Sequence, residues 1–419
     1  MSHRYRRRAA RMVAVGLCAV FAQAALVFAE SDLTGSVRTR YSAIDQDGNA
    51  GAAFSALLRL NLRSHWQDNW TTLLELDYVG RALRDQHSDG VTDNGQPVVP
   101  DTDGFDLNQF YLESNNDMAP WKLGRQRIEF DNQRFVGGNA FWQNEQTFDG
   151  LTVQTRLAAS SLLQYAHVYN VNRIFGDDAG RSLSESDQRY DDLNGVRPAA
   201  RLGDHRINAN WLRAEWSEWD YQHFVGYAYF NDYLDFPELS HQQFGLRHQF
   251  DYKFDAWRLR TQLEYAHQHR DSVSGALPKS AVSVVYRLLD AALGYDAVEF
   301  GARYEVLDSQ QGRSFITPLG SSHDFHGVVN KFSSTPEQGL LEKSARISWR
   351  QAPWLVELRQ QRFSAAATGV DYGDETDLTL RWRRDRVHSF MLTSGRFQAA
   401  SDSSFTDEWR IYLDYRFEF

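Results

Sequence analysis

The chain has 419 residues, 42% hydrophobic and 14% aromatic, with 45 basic against 55 acidic residues and a formal net charge of −10. That acidic balance excludes the basic footprint of a nucleic-acid-binding protein. After residue 29 no apolar run approaches the length of a membrane helix, which excludes a helical membrane protein.

Residues 1–11 hold Arg4, Arg6, Arg7, Arg8 and Arg11 without an acid, Val13 to Phe28 is weakly polar to apolar, and Ala29 precedes Glu30. This is the three-part layout of a secretory signal, with cleavage predicted after Ala29. An uncleaved anchor is the competing reading, but the run is short for spanning and polar sequence follows directly. The only cysteine, Cys18, lies inside this segment, and Leu17 is too large for a lipoprotein cleavage site. Removing the leader with its five arginines makes the remainder still more acidic, and cysteine-free. Residues 30–419 show no linker or composition break and are read as a single domain. An exported, aromatic-rich chain that is polar on average matches an outer-membrane β-barrel; a periplasmic or secreted β-protein is the alternative.

Period-two alternation runs along the mature chain. Leu58, Leu60 and Leu62 alternate with Arg59, Asn61 and Arg63; Leu74, Leu76 and Tyr78 with Glu75 and Asp77. Trp257, Leu259, Leu263 and Tyr265 alternate with Arg258, Arg260, Gln262 and Glu264. Further on, Val298–Val306, Ala345–Trp349 and Leu378–Trp382 repeat the pattern, and Trp409, Ile411, Leu413, Tyr415, Phe417 and Phe419 give it most strictly. Such alternation places one set on each face of a strand. Trp66, Trp70, Trp121, Trp257, Trp354 and Tyr295 fall at short turns, where an interfacial aromatic girdle belongs. Short connections near 65–69, 115–120, 158–160, 217–219, 253–256, 294–297, 351–353 and 384–386 alternate with longer ones, the smaller of them near 45–51. Counting segments predicts a transmembrane antiparallel barrel of about eighteen strands. The aromatic C-terminal pattern ending on Phe419 is similar to the signal read by the outer-membrane assembly machinery.

With the polar phase facing the lumen, Arg59, Arg303, Arg346, Arg359, Arg381 and Arg383 stand among Glu75, Asp77, Glu264, Glu305 and Asp377. Two readings compete for this wall: an arginine lining that prefers anions, or a mixed-charge ladder that neutralises itself for stability. Acidic loops at 83–104 and 174–195 can bind divalent cations through oxygen ligands and so bridge to lipopolysaccharide, although no calcium-loop spacing is present. No cofactor is expected. Neither a metal-ligand motif nor a nucleophile elbow occurs, and His323, Asp324 and His326 lack a nucleophile in sequence reach, so the chain is not read as an enzyme.

The segment Lys122–Gly150 starts like a strand at Leu123 and Gly124 and ends as one leading into Leu151. Between them it is too rich in Gly, Asn, Gln and aromatics for a strand, and sets Arg125, Arg127, Asp131 and Arg134 beside Phe130, Phe135, Phe141 and Trp142. Its Leu123-Gly124-Arg125-Gln126 … Gln133-Arg134-Phe135-Val136-Gly137 … Trp142-Gln143-Asn144 … Gln146-Thr147-Phe148-Asp149-Gly150 resembles the signature of the alginate-export family of outer-membrane porins. A second block, His323-Asp324-Phe325-His326-Gly327 … Asn330-Lys331-Phe332 … Thr335-Pro336 … Gly339-Leu340, is similar to that family's later motif, with Asn330 where an Asp is usual. The resemblance implies an eighteen-stranded barrel in the outer membrane of a Gram-negative bacterium. It also implies inward-folded loops that constrict the lumen, and passage of anionic saccharides. Arg125, Arg127, Asp131, Arg134, Trp142 and Asn144 on the loop, with Arg346, Arg359 and Arg381 on the wall, are the expected substrate path. Strict alternation from Leu123 aims Arg125 and Arg127 at lipid, so a bulge near Gly124, or exit from the hydrocarbon layer, is expected to bring both inward. The function expected is passive passage of anionic oligosaccharides or small anions; a non-channel barrel serving as adhesin or structural surface protein is the alternative.

Overall fold

The computed structural model describes residues 30–66, 69–176, 179–180, 197–273 and 279–419. The expected leader and much of the 174–195 acidic loop lie outside the described residues. Strands β1 (Glu30–Gln46), β2 (Asn49–Trp66), β3 (Trp70–Ala82), β4 (Gly104–Ser114) and β5 (Trp121–Gln126) open the sheet. They are followed by β6 (Thr147–Ala158), β7 (Ser161–Asn172), β8 (Asp204–Trp216), β9 (Gln222–Tyr233), β10 (His241–Phe254), β11 (Trp257–Arg270), β12 (Val282–Tyr295) and β13 (Val298–Leu307). Two short strands, β14 (Ser309–Gln310) and β15 (Arg313–Ser314), pair with each other inside the next loop. The wall then resumes with β16 (Leu340–Gln351), β17 (Trp354–Ser364), β18 (Asp371–Arg383), β19 (His388–Ala399) and β20 (Glu408–Glu418).

Neighbours pair antiparallel in chain order, and β1 closes on β20 from Ser36↔Glu418 to Gln46↔Glu408. The result is a closed eighteen-stranded barrel without an edge. Closure satisfies every strand's backbone groups within the sheet, which the hydrocarbon layer demands. Among the described residues no helix is long and apolar enough to cross a membrane. One departure from the expected connections is at 45–51, where Asp47 and Gly48 alone turn β1 into β2, both at positive φ.

The two faces follow the alternation read from sequence. Leu33, Leu60, Tyr78, Leu246, Leu263, Phe300, Leu358 and Leu413 are exposed on the outside, while Arg40, Arg59, Glu75, Asp77, Glu264 and Glu305 are buried inside. At the short-turn end the exposed aromatics pair across strands, Trp70 with Trp121 at 5.4 Å and Trp257 with Tyr295 at 4.8 Å. These rings, apolar in body and polar at one edge, suit the bilayer interface.

The core does not lie between sheets; it lies in the lumen. Ile128, Phe130, Val136, Phe315, Leu319, Val329 and Phe332 from two loops pack on inward wall residues Phe148, Trp211, Tyr227, Tyr229, Tyr286, Phe363 and Phe397. Phe130 stacks on Tyr229 at 6.0 Å, and Phe135 meets Tyr286 edge-on at 5.1 Å. Burying such rings stabilises the folded loop by about 2 kcal/mol each.

Candidate functional site: the lumen constriction

Two loops build the constriction, 127–146 between β5 and β6 and 308–339 between β13 and β16. They interlock before they meet the wall. Gly137 N–H donates to Leu319 O at 2.9 Å and Ser321 N–H to Gln133 O at 2.9 Å. Ser321 Oγ accepts from Asn139 N–H and donates to Gln133 Oε1 at 2.7 Å. Asp131, Gln133, Asn139, His326 and Asn330 all have φ between 51° and 63°. Left-handed backbone at non-glycine residues costs energy and persists only where surrounding contacts over-determine it. Here those contacts are the loop–loop and loop–wall bonds.

The first loop is tied around much of the lumen circumference. Arg127 binds Glu145 and, at 3.2 Å, Glu75 on β3; Glu145 also accepts from Arg59 on β2 at 2.7 Å. Burial works against the Glu145 anion, yet Arg59 and Arg127 outweigh it and hold its carboxyl at about 2. Asp131 accepts from Arg213 on β8 at 2.6 Å, and Asn132 from Arg247 on β10 at 2.9 Å. Arg134 Nε lies 2.9 Å from Glu305 on β13, and its Nη2 donates to His326 Nε2 at 2.5 Å. A guanidinium cannot accept, so His326 Nε2 is the acceptor and Nδ1–H faces Glu342, 2.8 Å away. Asn144 Nδ2 donates to Thr102 Oγ1 at 2.7 Å, joining the β3–β4 loop.

Glu305, His326 and Glu342 bring ligand atoms within 4.8 Å of one another, a spacing a metal ion could use. Arg134 already supplies positive charge to Glu305, and Arg303 stands 3.8 Å from the same carboxylate. Two acids facing two guanidiniums form a neutral knot that fastens both loops to β13 and β16.

The loop tip closes against β1 and β20. Phe141 stacks on His323 at 3.3 Å while Arg40 lies over its other face at 4.1 Å. Trp142, 2% exposed, meets Phe141 edge-on at 5.0 Å. Burial, with Arg40 and Arg410 nearby, holds His323 well below the usual imidazole range, so the stacked ring is neutral. Arg38 donates to the carbonyls of Ala140 and Phe141.

Beside this tip is a recess of about 320 Å³ lined by Arg38, Arg40, Arg381, Arg383, Asp414 and Arg416. Strand register explains the grouping. Arg383↔Ser389, Ser389↔Arg416 and Arg416↔Arg38 set three guanidiniums in one row across β18, β19, β20 and β1, with no acid in the row. The adjacent row, Arg381↔Met391↔Asp414↔Arg40, holds one acid. Asp414 accepts from Arg40 at 3.0 and 3.1 Å and stands 3.3 Å from Arg38, while Glu418 stands 3.4 Å from Arg416. Arg381 reaches only Met391 Sδ, at 3.7 Å; neither it nor Arg383 has a carboxylate partner among the described residues.

The expected path residues therefore separate. Arg381 lines the recess. Arg346, doubly bonded to Asp290 at 2.7 and 2.9 Å, lines a second pocket of about 520 Å³ near β8–β12, and Arg359 pairs with Glu357 at 2.8 Å. Arg127, Asp131, Arg134, Trp142 and Asn144 anchor the loop. Arg125 does not turn inward as expected. It sits across from exposed Phe110 and from Asp149, which it binds at 2.8 and 3.2 Å. No register shift occurs at Gly124; the shifts lie on neighbouring ladders, at Glu75/Leu76 and Asp149/Gly150. Pairing with a carboxylate on the same face removes the cost of an outward guanidinium, so no bulge is needed. Arg127 is inward because β5 ends at Gln126.

Sequence reasoning missed the loop's partners: Glu145 as the hinge of two arginines, Ser321 as the loop–loop bolt, and Asp101, which bonds Ser55 at 2.8 Å and Gln143 N–H at 2.9 Å. Asp103, also in the acidic 83–104 loop, is held by Arg81 and Arg84. These contacts join positions 40 or more residues apart, or hang on loop geometry, and carry no local signal.

The model of the alginate-export family matches residues 33–166, which contain the first motif block and the first constriction loop; the second block lies beyond the match. No curated protein sequence matches the chain. Solved structures with the same architecture include OpdL of Pseudomonas aeruginosa, at 12% identity and a TM-score of 0.65, covering 93% of this chain and 99% of that one. OpdK of the same organism, in a structure with vanillate, gives 12% and 0.64 over 93% and 99%. OccAB4 of Acinetobacter baumannii gives 12% and 0.66 over 93% and 98%. At such identities the likeness shows the fold. The resemblance read from sequence is thus matched over the first third of the barrel, and the fold is that of an outer-membrane β-barrel.

Proposed function

We propose that the barrel is a passive channel for anionic saccharides or small organic anions, with the arginine recess beside Ala140–Phe141 as the anion path. The observation that carries this reading is the pair Arg381 and Arg383, which have no carboxylate partner among the described residues and stand beside Arg416 and Arg38, themselves shared with Glu418 and Asp414. Elsewhere in the lumen, arginines such as Arg59, Arg134, Arg213 and Arg346 are held by carboxylates and present little net charge. A guanidinium without an acid partner keeps its forked donors for a carboxylate arriving from solvent. The family match points to an anionic polymer, while vanillate in the OpdK structure is a small carboxylate. Both chemistries suit the recess. Its place in a loop-constricted lumen favours one extended chain, or one small molecule, at a time.

Passage here needs no catalytic group. The lipid-facing band and the acidic outer loops fit a bilayer with lipopolysaccharide, whose bound divalent cations would bridge to the loop acids. The test is the reversal potential of the purified protein in planar bilayers under a salt gradient. An anion-selective pore whose preference falls severalfold in Arg381→Gln/Arg383→Gln supports the reading. A closed or cation-selective pore overturns it.

A further inference from the structure

Glu375 and Asp377 project into the lumen from β18, two residues apart. Glu375 is fully buried and Asp377 nearly so. The other buried carboxylates among the described residues each have an Arg, Lys or His within 4.0 Å, from Glu75 and Asp77 on Arg59 to Glu408 on Lys331. These two have none. Glu375 Oε1 accepts from Val329 N–H at 2.7 Å; Asp377 Oδ2 accepts from Gln361 Nε2 at 2.6 Å and Val328 N–H at 3.2 Å. Their remaining oxygens, Glu375 Oε2 and Asp377 Oδ1, are buried without a donor from any other group. The two carboxyl groups converge on Gly395, where an added Cβ would lie 2.7 Å from Asp377 Oδ1 and 3.1 Å from Glu375 Oε1.

Two adjacent anions sealed from water without a counter-charge would cost several kcal/mol. The charged groups facing the pair from packed elements are all engaged elsewhere. Arg359, across from Asp377 on β17, donates to Glu357; Lys331 and Arg410 are on Glu408; His326 is on Glu342 and Arg134. Strand β19 offers only Gly395 and Phe397 opposite the pair. A hydrated cation does not fit. Gly327 and Gly395 press so close that an added Cβ would lie 2.3 Å from Glu375 and 2.7 Å from Asp377. A proton needs no such room, and converts the two orphaned oxygens into one O–H···O⁻ bond.

We propose that Glu375 and Asp377 share one solvent-derived proton, and that this proton latches the second constriction loop to the barrel wall. With it in place the pair accepts the amides of Val328 and Val329, fixing the turn whose ends, His326 and Asn330, are left-handed. When the proton leaves, repulsion between the carboxylates drives them apart and withdraws both acceptors. The loop then loses its hold on β17–β19 while the Arg134 knot still tethers it at β13.

Two readouts test this independently. Across a pH titration, the infrared difference between the wild type and Glu375→Gln should isolate one protonated carboxyl band, present in the wild type and lost on alkalinisation. This measurement does not depend on transport. In planar bilayers the frequency of brief current steps should rise with pH by up to about tenfold per unit once the proton is lost. Glu375→Gln, whose amide replaces the O–H donor, should keep the loop latched and the frequency flat. Absence of the carboxyl band, a band unchanged in Glu375→Gln, or identical step frequencies for the two proteins at alkaline pH would overturn the proposal. A band abolished by added calcium at constant pH would assign the site to a cation instead.

Discussion

Arg134 is the residue whose replacement tests the constriction most directly. Its guanidinium is 3% exposed and joins a wall acid, Glu305, to a residue of the other loop, His326, with the Phe325 ring 4.5 Å away. Arg134→Met keeps most of the volume and removes the charge. Glu305 and Glu342, both fully buried, are then left facing Arg303 and His326. Breaking one side of a buried ion pair costs about 3–5 kcal/mol, most of it from the anion left behind. Adding Glu305→Gln removes that anion, so the double variant should recover about 2 kcal/mol relative to the sum of the single losses. The assay is the unfolding free energy from reversible urea titration in lipid vesicles, supported by protease cleavage between residues 127 and 146. A loss below about 1 kcal/mol in Arg134→Met, or additivity within about 0.5 kcal/mol, would refute the idea that this knot holds the two loops together.

Glu145→Gln should lower stability by about 3 kcal/mol, at the low end for a buried pair because Arg59 retains Asp77. Glu145 is held at about 2, below its unfolded value, so its contribution is present throughout neutral pH and is lost only as pH falls through about 2. Urea titrations of the wild type near neutrality should therefore show no titration from this group. Asp324, on the second loop, exposes its side chain to the lumen yet is crowded enough by surrounding protein that desolvation, and then Glu129, push it up to about 6. Its folded value is raised, so the contribution it makes to stability is full below the unfolded carboxylate range and lost as pH rises through about 6. Below that pH the neutral carboxyl should also strengthen anion preference, and Asp324→Asn should remove this step from reversal potentials measured against pH. Gly124→Ala should cost at least about 2 kcal/mol in the same urea assay, since φ is +128° and a Cβ would lie 2.4 Å from Phe110 O.

The alternation of apolar and polar residues, read with the spacing of turns, was enough to determine an eighteen-stranded barrel and which face of each strand meets lipid. That follows because side-chain direction in a strand is a local property with period two, and lipid on one side makes the pattern strict. Even the wall rows of the recess are latent in sequence, since Arg381, Arg383, Arg416 and Arg38 all fall in the inward phase. What sequence could not decide is which arginines are neutralised. Arg134 and Arg381 look alike as inward cations, yet one is locked to Glu305 and the other faces the recess without an acid, because strand register and loop path set the partner. Arg125 shows the same limit from the other side: strict alternation aims it outward, and only Asp149 on the adjacent strand lets it stay there. The two loops were legible as unusual segments, but their meeting at Ser321, His323 and His326 was not. That meeting joins residues more than 180 positions apart, and only closure of the barrel brings them within a hydrogen bond of each other.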